Sequence, residues 1–560
     1  MAAHESPPEP AVPAHDVGTE VPAAASTPVA VVEAPDPALI TPTPAGNASD
    51  SGSPAPSSSS AAAAAATDHT SLPPELWLEI FRHATHVPRA RTIAPPDPFA
   101  PERPANYAWG VNAPIQSMHT KCALVRVCRA WRALATELLY EHAALGSPRR
   151  VQLFCRTLLE SEAADRKAAA AAAAAVETPR GELLGHGRWV RHLEIQRWAR
   201  SAQSLQYWQN MVRCVILCPK LRVFSGLWQT PLPQGLLAAL EQYLPSTLQE
   251  LYWQQDSVLI AAKELPILTT SFLSKFSSLR VLDLRKICIL DAERSLQDVN
   301  FVALTLPHVA YLALPTCPLL LRFASRQEMP ALHYLILDAA GAPRTVWAPW
   351  VAKELSCFLE RHGSKLTTVE LLPAATLSFR PGPIGISAFL SPTACPNLDT
   401  LVFDCREKAI CPSSGAHPRL RRVGLRGTAI GRLYPNKPTQ AQAHLHALAG
   451  CRAFLPALEL VRTLGFLVGT STDAFAPDVF IWWTEKFERV GVDLQDGEGV
   501  AWMLEEEEEK SPGNTTKAAD KLKVGADGSG EKVEKADTGQ RGEPAESPAY
   551  RIVTAWGYEQ

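Results

Sequence analysis

The 15 histidines and 12 cysteines of this chain are the side chains best suited to nucleophilic, acid–base or metal chemistry, and their spacing supports none of it. The cysteines stand singly, with no Cys-x-x-Cys knuckle, no His-Glu-x-x-His and no histidine–cysteine group at zinc spacing. The nucleophile elbow Gly-x-Ser-x-Gly, the phosphate loop Gly-x-x-x-x-Gly-Lys-Ser/Thr and the turn Gly-x-Gly-x-x-Gly are also missing. The expectation is a chain that is not an enzyme, holds no cofactor or metal, and acts by binding. Side chains that could bind lie between regularly spaced apolar residues: Tyr252, Asp283, Arg285, Tyr311, Tyr334, Asp338, Glu370, Asp404, Arg422 and Arg426. They suit hydrogen bonds and ion pairs to a protein, with mixed sign that favours neither a phosphate-reading arginine cluster nor a small-molecule pocket. Trp228, placed just beyond an expected strand, is the first choice for an exposed aromatic anchor.

What must position these residues is a recurring phrase with apolar side chains at its first, fourth and sixth places. It appears as Val190, Leu193, Ile195; Leu221, Phe224; Leu248, Leu251, Trp253; Leu279, Leu282, Leu284; and Val309, Leu312, Leu314. It continues as Leu332, Leu335, Leu337; Leu366, Val369, Leu371; Leu398, Leu401, Phe403; and Leu420, Val423, Leu425. A period of roughly two to three dozen residues is the mark of a repeat architecture. Each phrase reads as a short strand whose leucines enter a core, and the residues between them point to the other face, because side chains alternate across a strand. Helical stretches such as Val351 to His362 separate the phrases. Stacked strand–helix units give a parallel sheet with helices outside, here an α+β/α/β chain with a curved leucine-rich-repeat solenoid over residues 189–503. The phrase degenerates after Gly427, where Ala457 to Arg462 and Val490 to Leu494 read as final strands and Ile481 to Val490, with Trp482 and Trp483, as a capping helix.

Upstream, residues 71–145 have helical periodicity. Ser71 is a suitable cap, Pro73 and Pro74 suit a first turn, and Leu76, Ile80 and Phe81 recur at three-to-four spacing. From Cys122 onward, Leu124, Val127, Cys128, Trp131, Leu134, Leu138 and Leu139 form an apolar face on one long helix or on two joined near Ala130. The intervening 87–120 is rich in Pro, Asp and Arg and reads as loop. Residues 146–188, with the alanine run 168–175, read as a helical linker spacing two domains.

LPPELWLEIF followed by LVRVCRAW resembles the two halves of the F-box motif, and the repeats downstream match the order of parts in fungal F-box proteins. The resemblance implies a three-helix module that docks on the Skp-type adaptor of an SCF-type cullin-RING ubiquitin ligase, with the repeats holding a protein substrate. Carried over by position, it implies adaptor contacts at Leu72, Pro73, Leu76, Ile80 and Phe81, and at Leu124, Val127, Cys128 and Trp131. This chain departs from the family in the roughly thirty residues between the halves, which add only about 0.6 kcal/mol of closure entropy per doubling of length. The alternative is a repeat scaffold whose F-box-like segment acts outside ubiquitin transfer.

Residues 1–70, made of Pro, Ala, Ser and Thr, and the charged tail 504–560, with its glutamate run 505–509, bury too little apolar surface to order and are expected to be disordered. The closing AYRIVTAWGY is the part of the tail that could return to the body. A net charge of -3 offers no basic field for nucleic acid or an anionic membrane. The start lacks the pattern of a secretory signal, and the apolar stretch 306–323 is broken by Pro307, Pro315 and Pro318. With its single thiols, the chain is expected to be cytoplasmic and/or nuclear.

Overall fold

The computed structural model describes residues 72–87, 90–100, 114–173, 185–195, 204–228, 232–255, 265–287, 299, 301–339, 348–373, 385–408, 415–436, 438–469, 471, 473–504 and 550–554. The 1–70 arm and most of the 504–560 tail lie outside them.

Three helices open the described chain: α1 (Pro74–Ala84), α2 (Pro114–Val127) and α3 (Arg129–Glu141). Pro73 sits at the N-cap of α1 and Pro74 in its first turn, where a missing N–H costs nothing, and no side chain caps this end. Ser71, the expected cap, is outside the described residues. The arginine-rich pattern resolves into two helices that break at Cys128, whose backbone is extended and whose Sγ accepts the Trp131 N–H at 3.4 Å. α2 begins at Pro114, so the loop expected over 87–120 is shorter at its far end. The bundle has its own interior of Phe81, Ala135 and Leu138, with Trp77, Leu78, Leu124, Val125, Trp131 and Leu134 packed around it. Thr85 ties α1 to α2: its carbonyl accepts the Ser117 hydroxyl at 2.7 Å.

Twelve parallel strands follow in one open sheet, β1 to β12, each pairing with the next in sequence. They are β1 (His142–Leu145), β2 (His192–Ile195), β3 (Val223–Trp228), β4 (Glu250–Gln255), β5 (Val281–Asp283) and β6 (Tyr311–Pro315). The rest are β7 (Tyr334–Asp338), β8 (Thr368–Leu372), β9 (Thr400–Asp404), β10 (Arg422–Arg426), β11 (Leu460–Leu464) and β12 (Asp493–Gln495). A parallel neighbour requires a crossover. The crossovers include α4 (Pro148–Ala173) and helices at Ser204–Leu217, Gln234–Tyr243, Pro318–Arg326, Ala348–His362, Gln440–Gly450 and Ala476–Glu488.

The register explains the repeated phrase. Its fourth position runs straight across the sheet as Leu193, Phe224, Leu251, Leu282, Leu312, Leu335, Val369, Leu401 and Val423, then Val461 and Leu494. Every residue of the nine phrases is buried in one continuous core on the helix side. Between units the backbones touch: a Cβ on Gly187 would lie 1.8 Å from Leu217 O, and one on Gly363 2.1 Å from Ala394 O. Both glycines precede the first position of a phrase by three residues, and both carbonyls precede the next by four. Two distant junctions therefore close in the same way.

The expected domain boundaries shift at the front. The sheet begins at β1, directly after α3, and not at residue 189. α4 is no spacer: Val151, Cys155 and Leu158 are buried, and Val151 and Leu158 enter the main core as the helix forms the first crossover. β1 was missed because small Ala143 takes the place of the usual leucine in the ladder. At the other end β11, β12 and the helix Ala476–Glu488 fall near their expected places. β13 (Val500–Leu504) pairs antiparallel with β14 (Tyr550–Thr554), so part of the tail does return to a strand.

Candidate docking surfaces

The first surface is on the helical bundle. α1 has two stripes 100° apart, each advancing four residues per turn. Trp77 and Phe81 turn inward, where Phe81 meets Trp131 at 4.8 Å and Trp77 meets it at 5.0 Å between ring centroids. Leu76 and Ile80 turn outward and remain 50% and 46% exposed. The expectation that Leu76, Ile80 and Phe81 share a face is thus corrected: Phe81, at 1% exposure, fills the interior and cannot meet a partner. Leu72 and Pro73 are exposed ahead of α1, and Val127 (58% exposed) and Cys128 are exposed at the α2–α3 break. Leu124 and Trp131 are half-buried against the bundle core, so they contribute more to it than to any outer patch. Five large apolar side chains of the bundle, Leu72, Leu76, Ile80, Met118 and Val127, stay exposed although the bundle has its own interior.

The second surface is the sheet face opposite the helices. Residues between the phrase leucines do point there, but many are buried among themselves. Asp283 is held by Arg285 in a bidentate pair (Nη2–Oδ2 2.6 Å, Nε–Oδ1 3.0 Å). Asp338 pairs with Lys286 at 3.0 Å, Asp404 with Arg406 at 2.7 Å, and Glu370 with Arg426 at 2.9 Å. Tyr334 donates its hydroxyl to Glu370, and burial together with that carboxylate pushes the phenol well above its ordinary range. Asp283, Tyr334, Asp338, Glu370 and Asp404 are all buried. As partner contacts they are corrected to an internally neutralised layer, because a buried carboxylate must be paired. Tyr311 is half-buried against Tyr334, and Tyr252 donates to Gln254 at 2.7 Å. Trp228 is the last residue of β3, paired with Gln255, and not beyond the strand; its side chain lies outside the described atoms.

Part of this face is already covered. Residues 90–100, within the stretch read as a loop, cross it as a strap. Ala90 O is bonded to His192 Nδ1 at 3.0 Å, and His192 Nε2 to Ser225 Oγ at 2.8 Å. Burial, then the neighbouring His142, lowers His192 to about 3, so it stays neutral near pH 7. The Thr92 hydroxyl donates to Glu250 Oε1 at 2.6 Å, and the Ile93 N–H to Glu250 Oε2. Asp97 then pairs with Arg422 (2.9 Å), and Phe99 sits among Val402, Leu460 and Leu464. The guanidinium of Arg422 lies 5.1 Å from the Phe99 ring centroid and that of Arg462 5.4 Å. Arg422 is therefore the predicted face residue whose partners include the strap.

Sequence reasoning missed Arg462, Glu250 and His192. Arg462 obeys the same alternation rule, lying between buried Val461 and Thr463, but it falls in a unit whose phrase has Thr463 in place of the sixth-position apolar residue. The strap's signal was Asp97-Pro98, a turn dipeptide that marked only a loop.

Among the described residues no group of histidine, cysteine and carboxylate side chains could hold a metal, and no helix is long and apolar enough to cross a membrane. No family model and no curated protein matches the chain.

Proposed function

We propose that this chain is a substrate-recognition adaptor of an SCF-type cullin-RING ubiquitin ligase, with α1–α3 as an F-box module that docks on a Skp-type adaptor. The sheet is then a leucine-rich-repeat solenoid whose concave face receives a protein substrate. The observation that carries the reading is the outward pair Leu76 and Ile80 on α1, with Leu72 ahead of it and Val127 at the end of α2 also exposed, on a bundle that has its own interior. Half of the apolar surface of Leu76 and Ile80 is left unused by the fold, and helix-borne apolar anchors are what a groove on a partner recognises.

Support for the solenoid comes from the strict β1-to-β12 order and from the strap. Its anchors on β4 and β10 are six strands apart, an arc of about 29 Å at about 4.8 Å per strand. Ile93 and Asp97, which meet those anchors, are separated by four residues, at most about 14 Å of chain. Arg422 leans one strand toward β9, where its Nε donates to Thr400 Oγ1 at 2.9 Å, and this shortens the span by only about 5 Å. A face curved along the sheet, whose chord is shorter than its arc, would account for that reach.

In this function the chemistry of ubiquitin transfer belongs to other subunits. The chain contributes proximity, which raises the effective concentration of a bound substrate to about the millimolar range when geometry allows. Co-purification of the full chain with the Skp-type adaptor tests the reading. An eluate of wild-type protein with no adaptor removes the ligase role.

A further inference from the structure

The strap ends in a turn that is closed by its own atoms. Pro98 occupies its second position, the Ala100 N–H donates to Asp97 O at 2.8 Å, and the Phe99 N–H donates to Asp97 Oδ1 at 2.9 Å. Asp at the first position and Pro at the second are what such a turn prefers. Its shape is therefore encoded in four consecutive residues and can be carried by another chain.

The sheet meets this turn with matched chemistry. Asp97 Oδ2, which lies outside the turn's own bonds, takes Arg422 Nη1 at 2.9 Å. The ring of Phe99 fills an apolar notch between Val402 and Leu464, 7% exposed, under two guanidiniums. Cations over an aromatic face are attracted to it, and more so where water is excluded. Arg462 is only 5% exposed and donates Nη1 to the carbonyl of Phe99, a backbone contact that any residue at that place could accept. Gly424 lies between Val402 and Arg462 in the register, and a Cβ there would meet Leu464 Cδ1 at 2.7 Å and Val402 Cγ2 at 3.0 Å. Its bare backbone lets the notch walls close. The ring belongs to this small cluster and not to the main core.

We infer that the β9–β11 end of this face is a binding site for a peptide turn of the type Asp-Pro-aromatic presented by a protein partner, and that residues 95–100 occupy it as a ligand in cis. The inference rests on the reading of the sheet as a recognition surface and is independent of adaptor docking. A partner turn would place its carboxylate on Arg422, its ring in the notch and its backbone carbonyl on Arg462. The tethered strap competes with it, so the apparent affinity of the intact chain is reduced by the fraction of time the site is open.

The test is fluorescence anisotropy with a labelled Pro-Pro-Asp-Pro-Phe-Ala peptide on the full chain. The variant Asp97→Asn/Phe99→Ala should bind it at least about tenfold more tightly than wild type. Adding Arg422→Glu should abolish that binding, and a peptide with Ala in place of Phe should not bind. A folded emptied chain that binds no tighter than wild type, or that takes both peptides alike, overturns the proposal and leaves the strap a fixed strut. Should the emptied chain fail to fold, amide exchange of wild-type Phe99 decides: excess peptide should speed it, and unchanged protection at saturating peptide refutes displacement. The variant Leu76→Asp/Ile80→Asp should bind the peptide as wild type does, which separates this result from the fate of the ligase reading.

Discussion

Replacing two neighbours on α1 should have opposite consequences, although Ile80 and Phe81 are adjacent in sequence. Phe81→Ala empties a site that is 1% exposed and packed edge-on against Trp131, and such truncations cost about 3–5 kcal/mol of stability. Leu76 and Ile80 are about half exposed, so each contributes roughly 1 kcal/mol to folding, half the value of a fully buried aliphatic side chain. Aspartate at position 76, in the first turn, gains a few tenths of a kcal/mol from the helix dipole, which offsets part of its poorer helix propensity. Leu76→Asp/Ile80→Asp should therefore cost about 2 kcal/mol or less in stability. Docking is another matter. Removing the remaining apolar area loses roughly 1 kcal/mol per residue, and burying two unpaired carboxylates adds several more. The sum, more than about 4 kcal/mol, is about a thousandfold in affinity for the Skp-type adaptor. Calorimetric titration of the purified adaptor, run beside urea unfolding, measures both quantities. Retained binding within threefold of wild type, or unfolding as severe as that of Phe81→Ala, would refute the division of α1 into an inner and an outer stripe.

His192 gives stability a dependence on pH. Its folded value of about 3 lies below the ordinary 6.5, so between those values the unfolded chain binds a proton that the folded chain does not. Stability should fall as pH drops through that window, by up to about 1.4 kcal/mol per unit, and His192→Asn should remove that share from the urea midpoints at pH 7 to 5. At the repeat junctions, Gly187→Ala and Gly363→Ala each force a methyl into a carbonyl oxygen of the next unit, and each should lower stability by about 3 kcal/mol or more in the same urea assay. Cys128 and Cys357 are the exposed thiols among the described cysteines, so both should alkylate first. Bound Skp-type adaptor should protect Cys128 and leave Cys357 reactive; equal labelling by mass spectrometry with and without adaptor would contradict the placement of Cys128 at the docking surface.

The amino-acid order alone determined the sheet from β2 to β10 and the core that its phrases build, but not β1 or the buried face of α4. Leucine-like residues at places one, four and six of each phrase admit one arrangement that hides them all, and the alternation of side chains then fixes which residues face away. It also determined that α1 is helical and carries apolar residues, since that follows from spacing within eleven positions. What lay beyond it was anything set by contacts between distant residues. Periodicity could not say which of Ile80 and Phe81 would find Trp131, because the partner helix lies some fifty positions away and its angle of approach is a packing outcome. Nor could local pattern reveal that Asp283, Asp338, Glu370 and Asp404 would be spent on neighbouring cations, or that the loop after α1 would reach across six strands to seat Phe99 on β9–β11. Those choices belong to the tertiary structure, which brings Arg422 and Arg462 within reach of a turn more than three hundred residues earlier in the chain.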